Sequence, residues 1–198
     1  MSLSDTKKHQ SKTSILNSFR LSIPKIAGNP RIVKHGMSMW PPFWGAGIKV
    51  KKISADWRSA TVLMRQRPWN MNYVGTHFGG SLFSMTDPFW MMMVLHNIGE
   101  GHIVWDKSAQ ISFLKPGHGT LRCNFLLKEE QLNELKNLVA SQGKATMWFE
   151  VEITDSSGDI VARVRKEVYV RTKNPASRQN VQKPGIKRLS DFERGVIK

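Results

Sequence analysis

Residues 72–90 read NYVGTHFGGSLFSMTDPFW, and two features of this stretch could do chemistry. One is a carboxylate, Asp87, set among Leu82, Phe83, Met85, Phe89 and Trp90 and followed at once by Pro88. A buried carboxylate without a partner is costly, so it shifts its pKa, finds donors or serves a reaction. In an apolar groove its pKa is expected to rise, which would suit it to accept a proton near neutral pH. The structural alternative is that Asp87 caps a helix beginning at Pro88, a favoured pairing of cap and first residue. If the helix instead runs through Pro88, the proline frees the Ser84 carbonyl and kinks the chain.

The other feature is the pair Gly79-Gly80. Glycine lets a backbone approach a ligand closely. The first N–H groups of a helix lack intrahelical partners and carry the positive end of its dipole, so they can stabilise an oxyanion. Close packing of a helix on a sheet is the other use of such a pair. At about 100° per residue, Asp87 falls roughly 80° around a helix from Gly79.

These residues need elements to position them. Gly79 to about Gly99 has helical length and is apolar nearly all round, so it should be surrounded by protein. Met91, Met92 and Met93 belong to that core, or form an adaptable wall. Before it, Ile48, Val50 and Lys52 alternate with Lys49 and Lys51, and Ser59 to Gln66 reads as a second strand. After it, Ile103, Trp105, Lys107, Ala109, Ile111 and Phe113 form one face of a long strand ended by Pro116-Gly117. Leu121, Cys123, Phe125 and Leu127 give the next strand. Glu129 to Ala140 is a short amphipathic helix, with Leu132, Leu135, Leu138 and Val139 on one side. Met147, Phe149, Val151 and Ile153 alternate with polar residues. The last strand carries Ile160, Ala162, Val164, Lys166, Val168 and Val170. Clean alternation predicts an antiparallel sheet with one face on the core, wrapped around the apolar helix.

A chain of 198 residues is enough for one domain with a real core. Its net charge of +15 is concentrated at the ends. Residues 1–39 hold seven Lys/Arg against one acid, and residues 172–198 hold seven against two. These basic tails could touch nucleic acid or anionic lipid, or serve as solvated ends. Short helices are conceivable around residues 15–26 and 189–197. The single cysteine, Cys123, excludes an internal disulfide and a thiolate zinc site. No apolar signal region follows the N-terminal lysines, and the apolar run from Leu82 to Ile98 is short and polar for a bilayer span. A cytoplasmic location is expected. The basic, Ser-rich start weakly resembles a transit peptide.

Asn72, Gly75, Gly79, Gly80 and Asp87 resemble the N-x-x-G-x-x-H-G-G pattern and helix acid of hotdog-fold acyl-CoA thioesterases. The segments PPFWGAGIKV, VWDKSAQISFLKPG and ARVRKEVYVR look like an uncharacterised branch described as tetrameric acyl-CoA thioesterase-like. The similarity covers about residues 40–172, leaving 1–39 as a basic extension and 173–198 as a basic tail. It implies an α+β hotdog fold, with an antiparallel sheet around one long helix. It also implies an acyl-CoA or other acyl-thioester substrate, with coenzyme A as part of that substrate and no separate cofactor or metal. By the resemblance, Asp87 is nucleophile or general base, Gly79 gives its N–H to the thioester oxygen, and Asn72 orients thioester or water. Gly80, His77, Phe78 and Phe83 would line the substrate site. The family's histidine before the glycines is Phe78 here, with His77 one position earlier.

A homodimer is implied as well, in which Asp87 of one chain faces Asn72 and Gly79 of the other, and the branch implies a homotetramer. Arg163 and Arg165, on one face of the last strand beside Lys166, could meet a coenzyme A phosphate or form an exposed basic face. Trp105-Asp106-Lys107 reads as an ion-paired or interface feature. A non-catalytic acyl-CoA or fatty-acyl binding protein is the alternative to a hydrolase.

Overall fold

The alternating segments form one six-stranded, fully antiparallel sheet in the computed structural model, which describes residues 28–173. The possible helices at 15–26 and 189–197 lie outside the described residues. The strands are β1 (Ile48–Ile53), β2 (Ser59–Arg65), β3 (His102–Phe113), β4 (Thr120–Leu126), β5 (Lys144–Thr154) and β6 (Ile160–Thr172). Their spatial order is β1-β2-β4-β5-β6-β3, so β1 and β3 are the two edges. Residues at every second position face a single core: Ile48 and Val50, Val62 and Met64, Cys123 and Phe125, Val151 and Ile153, Val164 and Val168. This is the predicted one-sided sheet, because side chains alternate between faces with a period of two.

Two helices open the described chain. α1 (Pro30–Met39) begins at the Asn29 cap, and α2 (Pro41–Gly45) buries Phe43. α1 lies in the segment read as an extension, and it is fastened to the edge of β1, where the Val50 N–H donates to Ser38 Oγ at 3.1 Å.

The single long helix expected from Gly79 to Gly99 is two helices. α3 spans Gly79–Ser84 and α4 spans Phe89–Asn97. Between them the Asp87–Pro88 peptide is cis. Side chains bend back to close α3: Ser84 Oγ donates to the Gly80 carbonyl at 2.8 Å and Thr86 Oγ1 to the Phe83 carbonyl at 2.7 Å. The apolar run is continuous in sequence, but the proline lacks the N–H that a continuing helix needs there. α4 then carries the inner core, with Phe89, Trp90, Met93 and Val94 buried, while Met91 and Met92 are half-buried. Trp90 stacks on Phe149 and meets Phe125 edge-on.

β3 departs from its predicted pattern in one place. Asp106 pairs with Val168 and Ser108 with Glu167, so Lys107 is an extra residue. This bulge reverses the alternation. Val104 and Asp106 face inward before it, opposite Val170 and Val168; Ala109, Ile111 and Phe113 face inward after it, opposite Lys166, Val164 and Ala162. Trp105 therefore lies on the outer face, stacked on Tyr169, and the single face read through Ile103, Trp105 and Lys107 is broken.

α5 (Glu129–Gln142) ends at Gly143, whose φ of 72° suits glycine, and buries Leu132, Leu135 and Val139 against the same core. Leu135 is fully buried, so Leu135→Ala should cost about 2–5 kcal/mol, measured by urea unfolding, with the far-UV spectrum unchanged.

Candidate active site

The carboxylate that stood alone in the sequence has a partner in the fold. Lys166 lies on the inner row of β6, only 3 % exposed, and its Nζ donates to Asp87 Oδ1 and, at 2.9 Å, to Asp106 Oδ2. The Phe83 ring lies 5.6 Å from the same ammonium. A buried ammonium needs such partners, because an uncompensated charge in the core costs several kcal/mol. Three elements therefore converge: the α3–α4 junction, β3 and β6.

The two carboxylates are not equivalent. Asp87 is half exposed, whereas the Asp106 side chain is 20 % exposed and its Oδ1 is buried without a hydrogen-bond partner. Burial raises the Asp106 pKa above the ordinary 3.8; Lys166 opposes this and the neighbouring Asp87 adds to it. Asp106 is thus the carboxyl whose charged form burial disfavours. Asp87 is the group that a solvent molecule or ligand can reach.

This geometry changes three readings. Asp87 is ion-paired and open to water on one side, not alone in an apolar groove. Nor does it cap α4: Pro88 is the cap residue and no side chain bonds there. The Ser84 carbonyl is not freed, since the Asp87 N–H donates to it at 3.1 Å.

The glycine pair packs against rings. A Cβ at Gly79 would lie 3.0 Å from the Phe113 ring on β3, and one at Gly80 would lie 2.4 Å from the Phe78 ring. Among the described residues, neither the Gly79 nor the Gly80 N–H has a hydrogen-bond partner. Close packing and unused donors thus occur at the same two residues.

Other predicted site residues point elsewhere. Asn72 is committed to its own loop: its Oδ1 accepts from the Val74 and Thr76 N–H groups, and its Nδ2 donates to Thr76 Oγ1 at 2.8 Å. These contacts shape the turn before the glycines. His77 is buried, with Nε2 3.0 Å from the Gly119 carbonyl, and burial lowers its pKa. It pins the loop at 117–119 and does not face Asp87. Phe78 is exposed beside Gly80. Arg163 and Arg165 sit on the outer face of the sheet, opposite Lys166. Arg163 pairs with Glu152 at 2.7 Å, and Arg165 lies near Glu150 and over the Trp148 ring. Their charge is answered within the chain, so they do not gather at the cluster.

Lys166 and Asp106 complete the cluster. The signal for them was a lysine in the inward row of β6 and an acid in β3; Asp106 does take part in an ion pair, as its triplet suggested.

With this geometry in hand, the comparisons place the chain. A family model described as a domain of unknown function, DUF4442, matches residues 29–170. The chain belongs to that family. No curated relative matches it. Its fold is the hotdog fold, shared with several solved structures. PA5026 from Pseudomonas aeruginosa, a protein of unknown function described as a probable thioesterase, is 20 % identical with a TM-score of 0.64 over 72 % of this chain and 95 % of that one. The thioesterase HI1161 from Haemophilus influenzae is 12 % identical with a TM-score of 0.55, over 73 % of this chain and 92 % of its own. PaaI of the phenylacetic acid degradation operon of E. coli is 22 % identical with a TM-score of 0.50, over 68 % and 88 %. At such identities the likeness is one of fold.

The cluster makes a pH-dependent prediction. Lys166→Met leaves two carboxyl groups facing each other and should cost about 3 kcal/mol near pH 7, the low end for breaking a buried pair because Asp87 is half exposed. The folded state holds the Asp106 proton more tightly than the unfolded chain does, so its contribution is greatest at low pH and is lost as pH rises past the usual 3.8. Removing Lys166, which opposes that rise, raises the Asp106 pKa further, so urea unfolding of wild type and variant at about pH 5 and about pH 7 should show the smaller loss at the lower pH.

Proposed function

We propose that the protein hydrolyses acyl thioesters, with acyl-CoA as the substrate class. The observation that carries this reading is Asp87, a water-accessible carboxylate held in place by a buried lysine beside a helix that starts at two unbonded glycine N–H groups. Asp87 would take a proton from water as its oxygen attacks the thioester carbonyl. The Gly79 N–H of a second chain, with Gly80 beside it, would receive the oxygen of the tetrahedral intermediate. The C–S bond then breaks, and the proton held by Asp87 passes to the departing thiolate, giving a free acid and a thiol. Lys166 is a positioning residue here, since it touches Asp87 and not the reacting atoms. The apolar ring surfaces of Phe83 and Phe113 would meet the acyl group.

The reading includes a dimer. β3 is a sheet edge of twelve residues, and Phe113 and the adjoining Leu114 are exposed. A long open edge favours strand pairing. Two copies joined along β3 would bring a second chain to the site and cover those apolar side chains. A tetramer would use the outer face, where Trp105 and Trp148 are exposed.

A second reading, acyl-thioester binding without turnover, is favoured by one observation: His77 is turned into the 117–119 loop, and an exposed Phe78 stands before the glycines.

Thiol release from short- to long-chain acyl-CoAs tests the proposal. Asp87→Asn keeps the shape and should lower kcat about a hundredfold or more, with the unfolding midpoint measured alongside. Equal turnover in the two proteins refutes Asp87 as the base; tight binding without turnover in either selects the second reading. Leu114→Asp, which places a charge on an exposed apolar position at the end of the open edge, should shift sedimentation from dimer to monomer and lower activity with it.

A further inference from the structure

A second concave site lies away from the Asp87 cluster and shares no residue with it. It is a groove of about 550 Å³ between α1, α2 and the outer face of β1 and β2. Lys49, Lys51, Arg65 and Arg67 line it, with His35 at one side, and no carboxylate does. None of the four Lys/Arg side chains is in an ion pair among the described residues. Arg163 and Lys115, by contrast, each lie between two carboxylates; what marks the groove is that its unpaired cations are gathered on one concave surface. Four neighbouring cations without an anion are a standing request for one.

The groove also carries apolar side chains at its rim. Trp44 is 74 % exposed, Trp69 68 % and Met39 78 %, and Trp40 is half exposed beside them. Large apolar side chains this open are uncommon on a free surface, and contiguous ones mark an interaction site. Indoles favour the boundary between water and hydrocarbon, because the ring is apolar and its N–H needs a polar neighbour. A soluble phosphate would use the cations and leave the rim unused. A neutral apolar partner would use the rim and leave the cations unanswered. A surface that offers phosphate oxygens and hydrocarbon side by side uses both.

We propose that this groove docks the protein on a bilayer containing anionic phospholipid, with headgroup phosphates on the four cations and Trp44, Trp69 and Met39 at the acyl boundary. The site is independent of the thioesterase reading. It also differs from attraction through basic ends, because it is built from the folded sheet and because its apolar rim, unlike its cations, is not screened by salt.

The test is co-sedimentation of the full-length chain with vesicles of phosphatidylcholine, with and without phosphatidylglycerol. The wild type should sediment with the anionic vesicles only. Lys49→Ser/Lys51→Ser should weaken binding about 30-fold, the effect of two lysines at an anionic surface. Trp44→Ser/Trp69→Ser alters only exposed side chains, so it should stay folded by far-UV spectrum and lose most of its binding. Wild-type binding by that variant would mean that the basic ends hold the vesicle, and would overturn the proposal. Equal binding to neutral vesicles, or no binding to either, would also overturn it. So would inorganic pyrophosphate quenching the tryptophan fluorescence of a protein that ignores vesicles, since the groove would then take a soluble phosphate.

Discussion

A buried ammonium cannot be left unanswered, and Lys166 is where this fold meets that constraint. It stands in the inner row of β6, between Val164 and Val168, where every other side chain is apolar. Two carboxylates reach it, from residues 79 and 60 positions away in the chain. Much of the local structure follows from letting them arrive. The α3–α4 break turns the chain so that Asp87 faces the sheet. The break is thus the point at which an apolar core helix yields to a polar requirement of the sheet beneath it.

The bulge at Lys107 answers the same requirement from the other side. Without the extra residue, strand alternation could not face both Asp106 and Ile111 inward, because their separation is odd. With it, Asp106 reaches Lys166 while Ala109, Ile111 and Phe113 still cover the inner side of the edge. Lys107 itself turns outward to Glu167 at 3.1 Å. Bulges commonly sit beside active sites for this reason: they re-aim one side chain without changing the sheet.

What the sequence showed and what it hid divide along the range of the interactions. Strand order along the chain, the α5 face and the hotdog layout were legible, since period-two alternation and the 3.6-residue repeat are local signals. Resemblance to the fold was carried by the glycine pair and its flanks. The break after Ser84 was only half legible: Pro88 signalled trouble in the helix, but nothing local showed that Ser84 and Thr86 would close α3. The bulge was hidden because Ile103, Trp105, Lys107, Ala109 and Ile111 happen to alternate straight through it. Asn72 matched the family's pattern and His77 stood one position before its histidine, yet the Asn72 amide and the His77 Nε2 are engaged by Thr76 and Gly119, partners that spacing does not reveal. Lys166 was visible as a lysine in an apolar row. Arg163 and Arg165 were legible as one face of the same strand, and their partners Glu150 and Glu152 lie across it on β5.

The distribution of charge gives this division a physical meaning. On the outer face of β5 and β6, Arg163 meets Glu150 and Glu152 across the strands, a pairing between half-exposed groups that contributes little to stability. On the inner face, one lysine is matched to two acids and water is largely excluded, so the same elementary charges interact strongly. Asp87 belongs to both settings. Its oxygen on Lys166 is fixed by the core, while its exposed side meets solvent. A carboxylate fixed on one side and open on the other keeps its orientation whatever reaches its open side, because that orientation is set by a partner within the fold.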